Sequence, residues 1–169
     1  GGVILKQAHE MGYKGAKGWL AGSNPSIATK IAGTEATEGL LLGVTWDYLS
    51  PKFTLPEMRE LHKKYKAKYG EEWDYYGMCN YAGARIVFDS MVKANTLDVP
   101  AVVKTIIYNQ PYKTFLGPTI YGNASVYGLP RNMIHPLVLG QVTQGKVTNI
   151  SYGLHPDLQK LAGDWRFPE

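Results

Sequence analysis

The chain has 169 residues, 44% hydrophobic, 19% charged and 12% aromatic, with a formal net charge of +4. That length suits one ordinary domain with a real core, and the apolar fraction excludes wholesale disorder. No window approaches the roughly 18 consecutive apolar residues of a membrane-spanning helix. In chain order, residues 2–13 predict a helix, with Val3, Leu5, Ala8 and Met11 near one face and Gly12 as its stop. A short strand is expected over 16–21, Ala16-Lys17-Gly18-Trp19-Leu20-Ala21. Gly22-Ser23-Asn24-Pro25 reads as a turn whose Asn24 or Ser23 can cap a short helix over 26–31. The run Gly39-Leu40-Leu41-Leu42-Gly43-Val44-Thr45-Trp46 is apolar without alternation, as a strand covered on both faces should be. Helix, strand, helix, strand is the rhythm of a layered α/β sheet.

Two long helices follow. Thr54-Leu55-Pro56-Glu57 has the spacing of a capping box and starts a helix running to Tyr69. In it Met58, Leu61, Tyr65 and Tyr69 recur at helical spacing, and lysines fill the other positions. Asp74 caps a second helix to about Ala94, with Tyr81, Ala84, Phe88, Met91 and Val92 expected on its buried side. A third covers 99–108 with Pro100 in its first turn. After Pro111 glycine, aromatic and β-branched residues dominate. Pro136 to Ile150 predicts a β-hairpin turning at Gln144-Gly145. From His155 the tail holds a short helix, then Trp165 and Phe167, whose rings need docking.

The candidate chemistries fail on their own geometry. Cys79, the single cysteine, excludes an internal disulfide, and its apolar setting without an adjacent base reads as an inert buried thiol. The basic stretch from His62 to Lys68 is the solvated back of an amphipathic helix, so no nucleic-acid partner is expected. Gly140 to Lys146 has phosphate-loop spacing, but Val147 stands where a magnesium-binding hydroxyl belongs, and a hairpin replaces the required helix. His9-Glu10 opens like a zinc-protease helix, yet Tyr13 replaces the second histidine. Gly12-Tyr-Lys-Gly15-Ala-Lys-Gly18 lacks the preceding strand of a dinucleotide site. His62, His135 and His155 are scattered, no nucleophile elbow exists, and Glu71-Glu72 sits in an exposed loop. These residues assemble no enzyme, and no metal or cofactor is expected.

Aromatic density stands out, with 4 Trp and 12 Tyr. Trp19 lies at a strand terminus, Trp46 and Tyr48 at another, and Tyr75, Tyr76 and Tyr81 where a helix begins. In an α/β sheet, ligands collect at the carboxyl ends of strands and the helix N-termini facing them.

Gly2-Val3-Ile4-Leu5-Lys6-Gln7-Ala8-His9-Glu10-Met11-Gly12-Tyr13 resembles a lobe-2 helix of the type I periplasmic solute-binding proteins of ABC transport, the leucine/isoleucine/valine-binding class. The likeness continues through Ile31-Ala32-Gly33, Glu38-Gly39-Leu40-Leu41 and Tyr65-Lys66-Ala67-Lys68-Tyr69-Gly70. It resumes with Tyr81-Ala82-Gly83-Ala84 leading to Lys93-Ala94, then Phe115-Leu116-Gly117-Pro118, and ends at Gln141 to Val147. The resemblance implies an α/β fold of two Rossmann-like lobes with ligand held between them, only the later part of each lobe falling in this chain. Residues 1–45 would be the later part of lobe 2, 46–51 a crossover, and 52–117 the C-terminal part of lobe 1. Residues 118–150 would return to lobe 2, leaving 151–169 as a tail. The opening Gly1-Gly2, without initiator Met or basic leader, fits a processed chain, a fragment or an incomplete one.

By the same resemblance, Ala21, Gly22, Ser23 and Asn24 would form the lobe-2 lip of the site, Tyr76 and Asn80 would face it, and Trp46 or Tyr48 would floor the cleft. Amino-acid-binding members place an acidic residue at the position of Ala21 to hold the ligand's ammonium. Its absence weighs against a free α-amino acid and toward an aromatic or aliphatic acid or an amide, because a buried ammonium needs a paired acceptor. The implied function is a periplasmic or cell-surface lipoprotein receptor that delivers a small organic ligand to ABC permease subunits. A ligand-sensing domain of a receptor or regulator, or a flavodoxin-like enzyme domain, shares the architecture. A chain carrying the helices of 55–94 without most of their sheet is expected to expose an apolar face and to seek a partner fragment or a domain-swapped dimer.

Overall fold

Residues 137–153 show most directly how this sequence makes structure. In the computed structural model, which describes residues 1–19, 25–43, 52–130 and 132–167, they form the hairpin of β6 (Leu137–Thr143) and β7 (Lys146–Gly153). Side chains alternate along β6, so Val138 and Val142 are buried while Leu137 and Thr143 face out. The two-residue connection needs positive φ at both positions, and Gln144 and Gly145 adopt 52° and 74°. The Glu38 carboxylate accepts a hydrogen bond from the Gln144 N–H at 2.7 Å. Opposite Leu139-Gly140 the register shifts, leaving Ile150 as the extra residue of a bulge.

Onto this hairpin the N-terminal segment adds two strands. Helix α1 (Gly2–Glu10) leads to β1 (Gly18–Trp19), then α2 (Pro25–Ala32), a one-turn α3 (Thr34–Thr37) and β2 (Leu41–Gly43). The strands β1 and β2 pair in parallel, β2 pairs antiparallel with β6, and the sheet order is β1-β2-β6-β7. Leu40, Leu42 and Val142 are its buried centre, with Leu5, Trp19 and Val147 packed around them. The expected order of helix and strand holds, with α3 as an unpredicted extra turn. The continuations of the two expected strands, 20–21 and 44–46, lie outside the described residues.

The middle of the chain is helical: α4 (Pro56–Tyr69), α5 (Tyr75–Ala94) and α6 (Val99–Tyr108). Asp74 caps α5 as predicted, its carboxylate accepting from the Gly77 N–H at 2.6 Å, and Asp98 caps α6 through Ala101 at 3.0 Å. The predicted capping box of α4 is displaced. Leu55 is the N-cap, Pro56 opens the helix, and the Thr54 hydroxyl donates to the Lys52 carbonyl. Lys63, Lys64, Lys66 and Lys68 are solvated as expected, while His62 is buried and donates to Glu72 at 2.7 Å. Burial is the main force holding the His62 imidazole below its ordinary pKa, outweighing the pull of Glu72.

The predicted inner face of α5 is corrected. Met78, Ala82, Ile86 and Ser90 are the buried residues, whereas Phe88 is 61% and Val92 80% exposed and Ala84 is exposed too, while Tyr81 keeps its ring against Trp73 and Phe115 at the margin of the core. The helix carries apolar residues on two faces, and the described chain covers only the one against Met58, Trp73, Phe115 and Leu116. Ser90 is tolerated inside because its hydroxyl lies 3.2 Å from that of Tyr112.

Beyond α6 lies an unpredicted three-stranded antiparallel sheet: β3 (Tyr112–Thr114), β4 (Gly117–Gly122) and β5 (Asn132–Ile134), with the one-turn α7 (Ala124–Tyr127) between the last two. The chain closes with α8 (Pro156–Ala162) and the docked rings of Trp165 and Phe167.

Candidate ligand-binding site

The Asp74 cap fixes where α5 begins and therefore which way its first residues point. Tyr75 turns inward: its ring packs against the cluster around Trp73, and its hydroxyl hydrogen-bonds the Cys79 thiol one turn on. Burial raises the pKa of both groups, partly offset at Cys79 by the hydrogen bond with Tyr75. Tyr76, next along the helix, turns outward and is 60% exposed, its ring edge-on to Tyr75 at 5.3 Å. Asn80 lies four residues further on the same face and is exposed as well. Tyr76 therefore does not plug the core. It offers an open aromatic face backed by a buried tyrosine and followed by a neutral amide.

Of the predicted site residues, the structure brings Tyr76 and Asn80 together. Ala21, Gly22, Ser23, Asn24, Trp46 and Tyr48 lie outside the described residues. Among the described residues no group of three or more His, Cys, Asp or Glu could hold a metal ion, and no helix is long and apolar enough to cross a membrane. Gly140 to Lys146, the phosphate-loop lookalike, is the hairpin itself.

Sequence reasoning missed a concave region at the edge of β5. A cavity of about 400 Å³ is lined there by Asn123, Met133, His135, Leu137, Leu154 and His155, among others. The pKa of His135 is lowered by burial, partly offset by its Nδ1 contact with the Pro136 carbonyl at 2.9 Å. His155 is committed at Nδ1, which accepts from the Asp157 N–H at the start of α8. Neither Tyr76 nor Asn80 borders this cavity. Its residues come from three separate stretches, Asn123, 132–137 and 153–155, so no local signal could have shown it.

A four-stranded mixed sheet flanked by helices, continued by a helical segment with its own small sheet, is part of the type I periplasmic-binding fold. The family model for periplasmic binding proteins matches residues 2–146, and the chain belongs to that family. Among solved structures, a leucine-binding protein of Thermotoga maritima superposes with a TM-score of 0.73 at 22% identity, over 92% of this chain and 42% of its own. The substrate-binding protein of an amino acid ABC transporter from Pseudomonas fluorescens gives 0.67 at 21% identity, covering 95% and 43%. A branched-chain amino acid binding protein of Streptococcus pneumoniae, solved with isoleucine, gives 0.65 at 17%, covering 88% and 41%. The chain thus spans well under half the length of the structures it matches. No curated protein sequence matches it.

Proposed function

We propose that this chain is the C-terminal portion of a solute receptor that holds a small organic ligand between two lobes and passes it to an ABC importer from the periplasm or the cell surface. The observation that carries this reading is the family match over 2–146, joined to an α5 start that presents Tyr76 and Asn80 to solvent. An open ring at a helix start suits a closing receptor, which needs contacts that form only on closure. On this reading residues 1–45 and 118–150 build lobe 2 and 52–117 the end of lobe 1, with 46–51 crossing between them. The pairing of β2 with β6 supports that division, since it joins 41–43 and 139–141 into one sheet.

Ala21 to Asn24 would supply the opposing lip and Trp46 or Tyr48 the floor. With no carboxylate at 21–24, the ligand is an aromatic or aliphatic acid or an amide rather than a free amino acid such as leucine. The family match favours binding as the role of this site. The test is calorimetric titration of the full-length wild type and Tyr76→Ala against amino acids, aromatic acids and amides. Loss of the ring should cost about 1–3 kcal/mol, roughly 5- to 150-fold in affinity, at unchanged melting temperature. Unchanged affinity removes Tyr76 from the site, and tight selective binding of leucine or valine overturns the ligand assignment.

A further inference from the structure

The family match stops at residue 146, yet the chain beyond it is built into the fold at a particular place. Leu158 of α8 is fully buried against Ile120 of β4 and Ile134 of β5. Past the helix, Trp165 and Phe167 meet edge to face at 4.8 Å, and both rings contact Tyr152 of β7, at 6.4 and 5.0 Å. Phe167 also reaches Phe53 at 5.8 Å, and Phe53 lies 5.1 Å from Tyr152. The indole of Trp165 presses on the backbone of Gly117, where a Cβ would come within 3.1 Å of it. So one tail grips two places far apart in sequence, Phe53 and 117–122.

Those segments adjoin the two passages between lobes in the division proposed above, and this inference rests on that reading. Phe53 shows that the grip is firm. Its φ is 55°, a left-handed backbone that is strained for a bulky residue and persists only where surroundings over-determine it. Beside it, the buried Asn149 of β7 donates its amide to the Lys52 carbonyl at 3.1 Å. We propose that residues 154–167 are a strap that ties Phe53 and the start of β4, the described chain beside the two interlobe passages, to each other and to β7, and so limits how far the lobes swing. A receptor with this strap moves as a hinge with a stop.

The bland alternative is that the tail only seals the core, and it makes a different prediction. Spin labels at Lys30→Cys on α2 and Lys63→Cys on α4, both exposed positions, in a Cys79→Ser background report the interlobe distance without ligand. The parent should give one narrow distribution, W165A/F167A should at least double its width, and W165F should leave it narrow. An unchanged width in folded W165A/F167A overturns the strap. Should that variant not fold, hydrogen exchange of the wild type decides. A strap requires the amides of 52–54 and 116–118 to open together with the tail, at least tenfold faster than those of β6 and β7, and equal rates overturn it. Both measurements are made without ligand, so a failed titration panel leaves them standing, and a rigid tail variant leaves the receptor reading standing.

Discussion

Phe88 and Val92 offer the sharpest quantitative test, because they behave as core residues with nothing over them. Full burial of such side chains contributes about 1.5–3 kcal/mol each. With 61% and 80% of their surfaces still exposed, each retains roughly 1–2 kcal/mol of unrealised burial. Leu97, Val99 and Tyr108 are exposed too, at 78%, 70% and 76%. Apolar side chains left open in this number suit an interaction surface. Two copies of the chain meeting through this face would cover four of the side chains, two per protomer. Replacing Phe88 and Val92 with serine in both protomers should then remove about 4–8 kcal/mol from the association, raising the dimer dissociation constant by roughly a thousandfold to a millionfold. The substitutions should leave the helix content intact, since surface changes away from packed features cost within about 0.5 kcal/mol. Sedimentation velocity of the 169-residue chain and its F88S/V92S variant reads the difference directly. A wild type that stays a monodisperse monomer near 18.7 kDa at about 100 μM would refute the reasoning, as would a variant that associates equally well.

Two further outcomes follow from single side chains. Asp74→Ala removes the carboxylate that accepts from the Gly77 N–H, and should lower stability by about 1 kcal/mol, or about 2–4 °C in melting temperature, while Asp74→Asn retains most of it. For pH, burial depresses the pKa values of His62 and His135 in the folded chain, whereas the unfolded imidazoles titrate near 6.5. Below pH 6.5 the unfolded state binds more protons, so stability falls on acidification and levels off once pH drops below the folded values. Denaturant midpoints at pH 7.5 and 5.5 should therefore differ less for H62Q/H135Q than for the wild type, and an identical difference would show that other groups dominate.

What could be read from the sequence was what a few neighbouring residues decide among themselves. Asp74 needs only the amide of Gly77, Pro100 only the first turn of α6, and Gln144-Gly145 only its own backbone, and all three were foreseeable. The same economy misled at Thr54, where the capping-box spacing was present but Pro56 took the first helical position and moved the N-cap to Leu55. The inner face of α5 was not legible for a different reason. Periodicity detects that Tyr81, Phe88 and Val92 share a stripe with hydrophobic character, but which of two apolar stripes is covered depends on what else is present to cover it. The candidate site divides in the same way. Tyr76 was foreseeable at a helix start, and its exposure follows from the cap that sends Tyr75 inward. The tail showed only half of itself: Trp165 and Phe167 needed docking, but their partners Phe53, Gly117 and Tyr152 stand in separate parts of the chain. Local chemistry names the parts that seek contact. Only the assembled fold names the contact.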